Sequence, residues 1–286
     1  MSKKNSNVLA IAIMFFLFGM ISFVTGLQNP MGVIVKAQFG ASNFMSQLGN
    51  AANFIAYAFL GLPAGIILKK KGYKFTALAA VAVGFIGVTI SWLSGVVESF
   101  GVYLAGAFIS GFSMCMLNTV VNPMLNTLGG GGNKGNQLIQ LGGSVNSLCA
   151  TIVPVLVGYL IGDASKATIS NANPALFIAM GVFALAFLII FISVIPEPEL
   201  ENRAAYDEEN EPMGVSLGRL FSQRHFVFGI IAIFIYVGVE VGIPNFVNLY
   251  LTTDYMLPGT VEHVSAAVAG TIVGIYWLLM LCGRLI

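Results

Sequence analysis

Apolar residues run through this chain in blocks too long for a soluble core, separated by short polar connections. The blocks fall near 8–29, 46–68, 75–96, 100–127, 138–162, 173–195, 226–251 and 265–286. A helix rising 1.5 Å per residue needs roughly 20 residues to cross a hydrocarbon layer about 30 Å thick. The pattern therefore predicts eight transmembrane helices. Lipid offers the backbone no hydrogen-bond partner, so such blocks are expected to be helical throughout. The fold class is all-α integral membrane. The first block is not read as a cleaved leader, because MSKKNSN is followed by an apolar run past Val24 with no small-residue cleavage site before polar sequence.

One connection differs from the rest. Residues 196–225 are long and charged, with Glu197, Glu199, Glu201, Asp207, Glu208, Glu209 and Glu211. They divide the chain into a six-helix bundle (1–195), a cytoplasmic linker (196–225) and two further helices (226–286). Six helices, a linker and two helices read as a fragment of a twelve-helix transporter, whose second bundle would need four more spans. Each six-helix half of such a protein consists of two inverted three-helix units. A short echo fits that plan: Gln28-Asn29-Pro30, Asn122-Pro123 and Pro244-Asn245 lie in spans one, four and seven, the first helix of each successive unit.

Composition agrees with the pattern. The chain is 57% hydrophobic and 9% charged, with a mean hydropathy of +0.88, against about 25% charged residues in ordinary soluble domains. A net charge of +1 gives no reason to expect a nucleic-acid partner. The basic residues instead report orientation. With the N-terminus cytoplasmic, only Lys36 and Lys166 of the 13 Lys and Arg fall outside, as the positive-inside rule requires. The cytoplasmic (inner) membrane is the expected location. The three cysteines lie in apolar runs without metal-ligand spacing, and no cofactor or metal is expected.

Polar groups inside the spans carry the chemistry. Asn118, Asn122 and Asn126 follow one another at four-residue steps on one face of span four. Gln140 and Asn146 lie in span five, and Asn50 and Asn53 in span two. An unpaired amide in hydrocarbon costs several kcal/mol, so these side chains are expected to face protein or a wet cavity. Carboxamides donate and accept, which suits a neutral polyhydroxyl solute. Such a solute is expected among Gln28, Asn29, Asn118, Asn122, Gln140 and Asn146, with Asn245 in span seven a further candidate. The competing reading is that each amide only joins two helices.

Of the twelve acids, Glu240 is the one inside a span. A charged carboxylate at mid-bilayer costs about 2.5–3.5 kcal/mol on insertion scales, so a proton, a bound cation or a basic partner must offset it. Arg284, or a residue outside this chain, could supply the third. Proton or sodium coupling through Glu240 is expected.

Four segments resemble a known family. LPAGIILKKKGYK (Leu62 to Lys74), LNTVVNPMLNTLG in span four, VNSLCATIVPVLVG in span five and YVGVEVGIPNFVNLYL in span seven are similar to elements of the major facilitator superfamily, in particular its fucose, galactose and glucose cation symporters. The resemblance covers essentially the whole chain. It implies a sugar permease working by alternating access, and it implies that Asn146 contacts the sugar. It also exposes departures. Fucose permease carries LND where this chain has Leu27-Gln28-Asn29, and ETAANP where this chain runs from Asn118 to Pro123. Amides cannot carry a proton at physiological pH, so a fucose-type relay does not transfer to Asn29 and Asn118, and coupling moves to Glu240. Lys69 stands where the superfamily's inner loop usually carries an acid, so the standard gating salt bridge is not expected in this half.

Other classes fit less well. An enzyme would need a nucleophile, base or metal constellation, and His225 and His263 fall at opposite membrane faces. A facilitative or drug-type carrier of the same fold, or a membrane sugar sensor, remains as an alternative. GGGGNKG (Gly129 to Gly135) lacks the strand and Lys-Ser/Thr of a phosphate loop and reads as an inner hinge. The expected protein is a monomer whose partners are the bilayer and a small sugar.

Overall fold

The structure, a computed structural model, describes residues 3–161, 168–197, 213–252 and 266–285. The acids of 198–212, and Asp163, Lys166, Asp254, Glu262 and His263, lie outside the described residues. The helices are α1 (Lys3–Phe39), α2 (Asn43–Val97), α3 (Phe100–Leu128), α4 (Gly132–Ile161), α5 (Asn173–Ile192), α6 (Met213–Ser222), α7 (Arg224–Thr252) and α8 (Ala266–Leu285), with a 3₁₀ turn at Ile169–Ala172. No strand occurs among the described residues.

Seven of these helices are long and apolar enough to cross a membrane, and one of the seven supplies two crossings. α2 has 55 residues, about 80 Å of helix if straight. It is not straight. Gly72 takes φ 85° and ψ 177°, a conformation open to glycine at little steric cost, and there the chain reverses. The neighbours show the reversal. Before Gly72, Gly49 meets Tyr103 and Asn53 meets Gly111, so this limb runs parallel to α3; after it, Gly84 meets Ser113 and Ser91 meets Gly106, so the second limb runs antiparallel. The eight expected crossings are therefore present as α1, the two limbs of α2, α3, α4, α5, α7 and α8.

Helix ends differ from expectation where local chemistry overrode hydropathy. α1 continues through Pro30 to Phe39. Proline removes one backbone donor, a loss that surrounding helices can absorb in a membrane bundle. α4 starts at Gly132, six residues before the apolar run at 138. The glycines expected to form a hinge make a tight left-handed turn, with φ 82°, 72° and 54° at Gly130, Gly131 and Gly132. The N–H of Gly131 closes it on the Asn126 carbonyl at 2.9 Å. Hydropathy gave no sign of α6, which lies in the predicted linker.

Close helix contact is built from small residues, as expected where lipid competes with apolar side chains for the same surface. A Cβ at Gly87 would sit 2.6 Å from the Ser110 backbone nitrogen, and one at Gly106 would sit 2.7 Å from that of Ser91. Tyr73, Tyr103 and Phe183 are among the largest fully buried side chains.

α8 packs on α4 in antiparallel register. Gly274 lies against the Thr151 carbonyl and Val155, and Arg284 lies against Gly143. This seam joins the third part of the chain to the six-span part.

Glu197, counted in the sequence only as a linker acid, has a defined task. Its two carboxylate oxygens accept the backbone N–H of Tyr73 (2.6 Å) and Lys74 (2.8 Å) at the start of the second α2 limb. The first N–H groups of a helix have no carbonyl a turn earlier to bond, and the helix dipole favours an anion there. Lys74 Nζ returns to the carbonyls of Phe191 and Ser193 at 2.9 and 2.8 Å. The end of α5 is thus tied to the α2 reversal on both sides. Glu197→Gln keeps the shape but removes the charge, and is expected to lower stability by about 1–2 kcal/mol, read as a lower melting temperature of the detergent-solubilised protein; an unchanged melting point would remove this role.

Candidate solute and cation site

The strongest polar assembly joins three helices. α7 places Glu240, and α8 places Arg284 in its last turn. Arg284 Nη2 donates to Glu240 Oε1 at 2.7 Å and to the Tyr236 hydroxyl at 3.0 Å. Its Nη1 donates to the Gly143 carbonyl at 2.8 Å and to Ser147 Oγ at 2.7 Å, both on α4. The side chains of Arg284 and Glu240 keep 18% and 13% exposure. Tyr276 on α8 donates its hydroxyl to the Glu240 carbonyl at 3.3 Å. Of the three ways to offset the Glu240 charge, the structure contains the basic partner. The fixed guanidinium fork satisfies four oxygens together, a geometry an ammonium does not reproduce.

The amides bond to tyrosines and to backbone carbonyls, some on a neighbouring helix and some on their own. Asn118 Nδ2 donates to the Tyr57 hydroxyl at 3.0 Å and to the Met114 carbonyl at 3.2 Å. Asn122 Nδ2 donates to the Asn118 carbonyl at 3.1 Å. Tyr57, Asn118 and Asn122 thus form a half-buried line between α2 and α3. Asn146 Nδ2 donates to the Phe18 carbonyl at 3.2 Å, joining α4 to α1. Gln28 accepts from the Tyr103 hydroxyl at 3.3 Å, joining α1 to α3. Asn245 Nδ2 returns to the Val241 carbonyl of its own helix at 2.9 Å.

Two predicted positions stand apart. Gln140 is exposed, and its backbone carbonyl accepts from Ser144. Asn126 is exposed at the glycine turn against Gly135, so the four-residue row on α3 ends at Asn122. Asn29 is within α1, but its side chain lies outside the described residues. Asn53 is buried at 2% exposure, and its Oδ1 has no hydrogen-bond partner among the described residues.

The two systems meet on α4, where Asn146 faces α1 and the adjacent Ser147 holds Arg284. Sequence reasoning missed Tyr57, Tyr103, Tyr236, Tyr276 and Ser147. The available signal was tyrosine at membrane depth, where a phenol hydroxyl needs a partner.

Residues 11–286 match the Major Facilitator Superfamily. The chain belongs to that superfamily. It is 28% identical over 258 residues to a putative glucose/galactose transporter of Helicobacter pylori strain J99, covering 86% of this chain and 61% of the relative. It is 23% identical over 292 residues to the L-fucose-proton symporter of Escherichia coli K12, covering 95% of this chain and 66% of the relative. The chain therefore spans about three fifths to two thirds of these relatives' lengths. Among solved structures, a superfamily transporter, FucP, in the outward conformation matches with a TM-score of 0.73 at 20% identity, over 98% of this chain and 70% of that one. The protein is a multi-pass membrane protein of the transporter fold.

Proposed function

We propose that the chain acts in moving a hexose-type sugar across the cytoplasmic membrane by alternating access, with an inward cation, H⁺ or Na⁺, coupled at Glu240. Support comes from its likeness to a putative glucose/galactose transporter and an L-fucose-proton symporter and from one arrangement. The Glu240–Arg284 pair lies where α4, α7 and α8 meet, next to the helix that carries Asn146. A cation arriving at Glu240 competes with Arg284 for the carboxylate, and that competition reaches both parts of the chain. The N-terminus is placed on the cytoplasmic side by the distribution of Lys and Arg.

The sugar is placed among half-buried amides, where the bonds described leave it the Oδ1 atoms of Asn122 and Asn146 and the second Nδ2 hydrogen of Asn146. Asn118, Asn122 and Asn146 lead this set; Gln28 and Asn29 extend it along α1, and Gln140 and Asn245 flank it. Asn146→Ala is expected to weaken hexose binding about tenfold, or 1.4 kcal/mol, within the range of one hydrogen bond. Calorimetric affinity equal to the parent's would return Asn146 to the helix-joining amides.

A second reading, a facilitative carrier without cation coupling, is favoured by the same ion pair, because Arg284 already offsets the Glu240 charge. Uptake by the full-length protein in liposomes separates the two. Sugar identity, pH and sodium are varied one at a time. Coupling is expected to appear as accumulation above the outside concentration, driven by one of the two cations; equilibration alone under every gradient would sink it. Absence of counterflow for any hexose would sink the sugar assignment.

A further inference from the structure

Arg284 is bonded to both parts of the chain at once, and its partners differ in kind. On α4 it has two neutral acceptors, the Gly143 carbonyl and Ser147 Oγ; on α7 it has the neutral Tyr236 hydroxyl and one anion, Glu240. Among the described residues, the charged or phenolic side chains hydrogen-bonded in this cluster are Glu240, Tyr236, Tyr276 and Arg284 itself. Glu240 is therefore the one counter-charge holding the guanidinium at this depth. Neutral acceptors orient a guanidinium but do not offset its charge, and a long arginine stem can carry the head away toward water.

We propose that Arg284 is a positioning residue that ties α8 to α4 in a charge-dependent way: the tie holds while Glu240 is ionised and opens when a cation occupies that carboxylate. This rests on the coupling role proposed for Glu240. A ligand that binds one arrangement more strongly shifts the population toward it, and a cation that removes the tie's counter-charge binds the open arrangement better. The seam is suited to such movement. Its other end is a close backbone approach, with a Cβ at Gly274 falling 3.2 Å from the Thr151 carbonyl, so α8 stays in contact there while the Arg284 end parts. Arg284 has no role in this scheme as a sugar ligand, because its four Nη hydrogens are committed to the tie.

The test uses a thiol placed under the guanidinium. A Cβ at Gly143 would sit 3.6 Å from Arg284 Nη1, an ordinary contact, so Gly143→Cys reports whether Arg284 covers it and leaves the carbonyl acceptor in place. In the full-length protein, with Cys115, Cys149 and Cys282 each replaced by alanine, the labelling rate with a small polar methanethiosulfonate is measured in liposomes. With Glu240 intact, labelling is expected to be slow and to rise about tenfold with the coupling cation, tested as proton and sodium separately. With Glu240→Gln, it is expected to be about tenfold faster from the start and indifferent to both. Glu240→Asp, which keeps the charge, is expected to label at the parent's rate. Equal rates for the parent and Glu240→Gln would overturn the proposal, and so would fast labelling of Glu240→Asp, which would point to loosened packing. The sugar reading is judged separately: liposomes that show this labelling pattern but no hexose counterflow would keep the tie and discard the sugar.

Discussion

Glu240→Gln in the complete protein is expected to abolish sugar accumulation while leaving exchange of labelled for unlabelled sugar across the membrane. One elementary charge moving through 100 mV releases about 2.3 kcal/mol, enough for a gradient of roughly 50-fold. The variant should therefore fall from a gradient of that order to equal concentrations on both sides. Glutamine leaves Arg284 a neutral acceptor of the same shape in place of the carboxylate at 2.7 Å, but no counter-charge to hold the tie to α4 closed. What it cannot do is exchange one positive partner for another. Exchange needs the binding site and the alternation but no net work. Accumulation at parental levels in Glu240→Gln would show that the driving cation is read elsewhere. Loss of exchange as well would show that the pair is needed for the carrier to move at all.

The second large effect concerns packing. Gly111 faces the first limb of α2, where a Cβ would fall 2.7 Å from the Asn53 Cα and closer still to the Asn53 carbonyl oxygen. Both obstacles are backbone, so no side-chain rotation can relieve them. Gly111→Ala is expected to destabilise the bundle by about 3 kcal/mol, at the upper end of ordinary overpacking, lowering the melting temperature in detergent by roughly 6–12 °C. Gly181→Ala on α5 provides the contrast. Nothing lies within 4 Å of its Cβ position, and alanine is the better helix former by up to about 1 kcal/mol, so its melting temperature should hold or rise slightly. A Gly111→Ala protein as stable as the parent would mean that α2 and α3 are not held at this distance.

The same contrast shows which features were readable in advance. Both glycines sit in apolar runs and look alike in the sequence; only the neighbouring helix distinguishes Gly111 from Gly181. Glu197 and Arg284 make the same point for charge. Glu197 looked like one of seven linker acids, yet it caps a helix start 124 residues away at the α2 reversal. Arg284 was one of several possible counter-charges for Glu240, and its pairing 44 residues away depended on how α8 lies against α4 and α7. The amides were legible as polar groups that must avoid lipid. Their pairing with Tyr57, Phe18 and Tyr103 was not, because a hydrogen bond between helices depends on their relative rotation and depth, which hydropathy does not encode.

The sequence by itself determined that the chain lives in a bilayer, that it crosses as helices in eight passes, and that the polar groups within those passes need partners. These follow from the cost of exposing peptide and amide groups to hydrocarbon, which is local and additive along the chain. Tertiary structure decided which partners they found: the tyrosines that meet the amides, and the arginine that joins Glu240 to α4. Those choices belong to the packing of whole helices, where small residues set the approach and a single rotation changes every contact on a face.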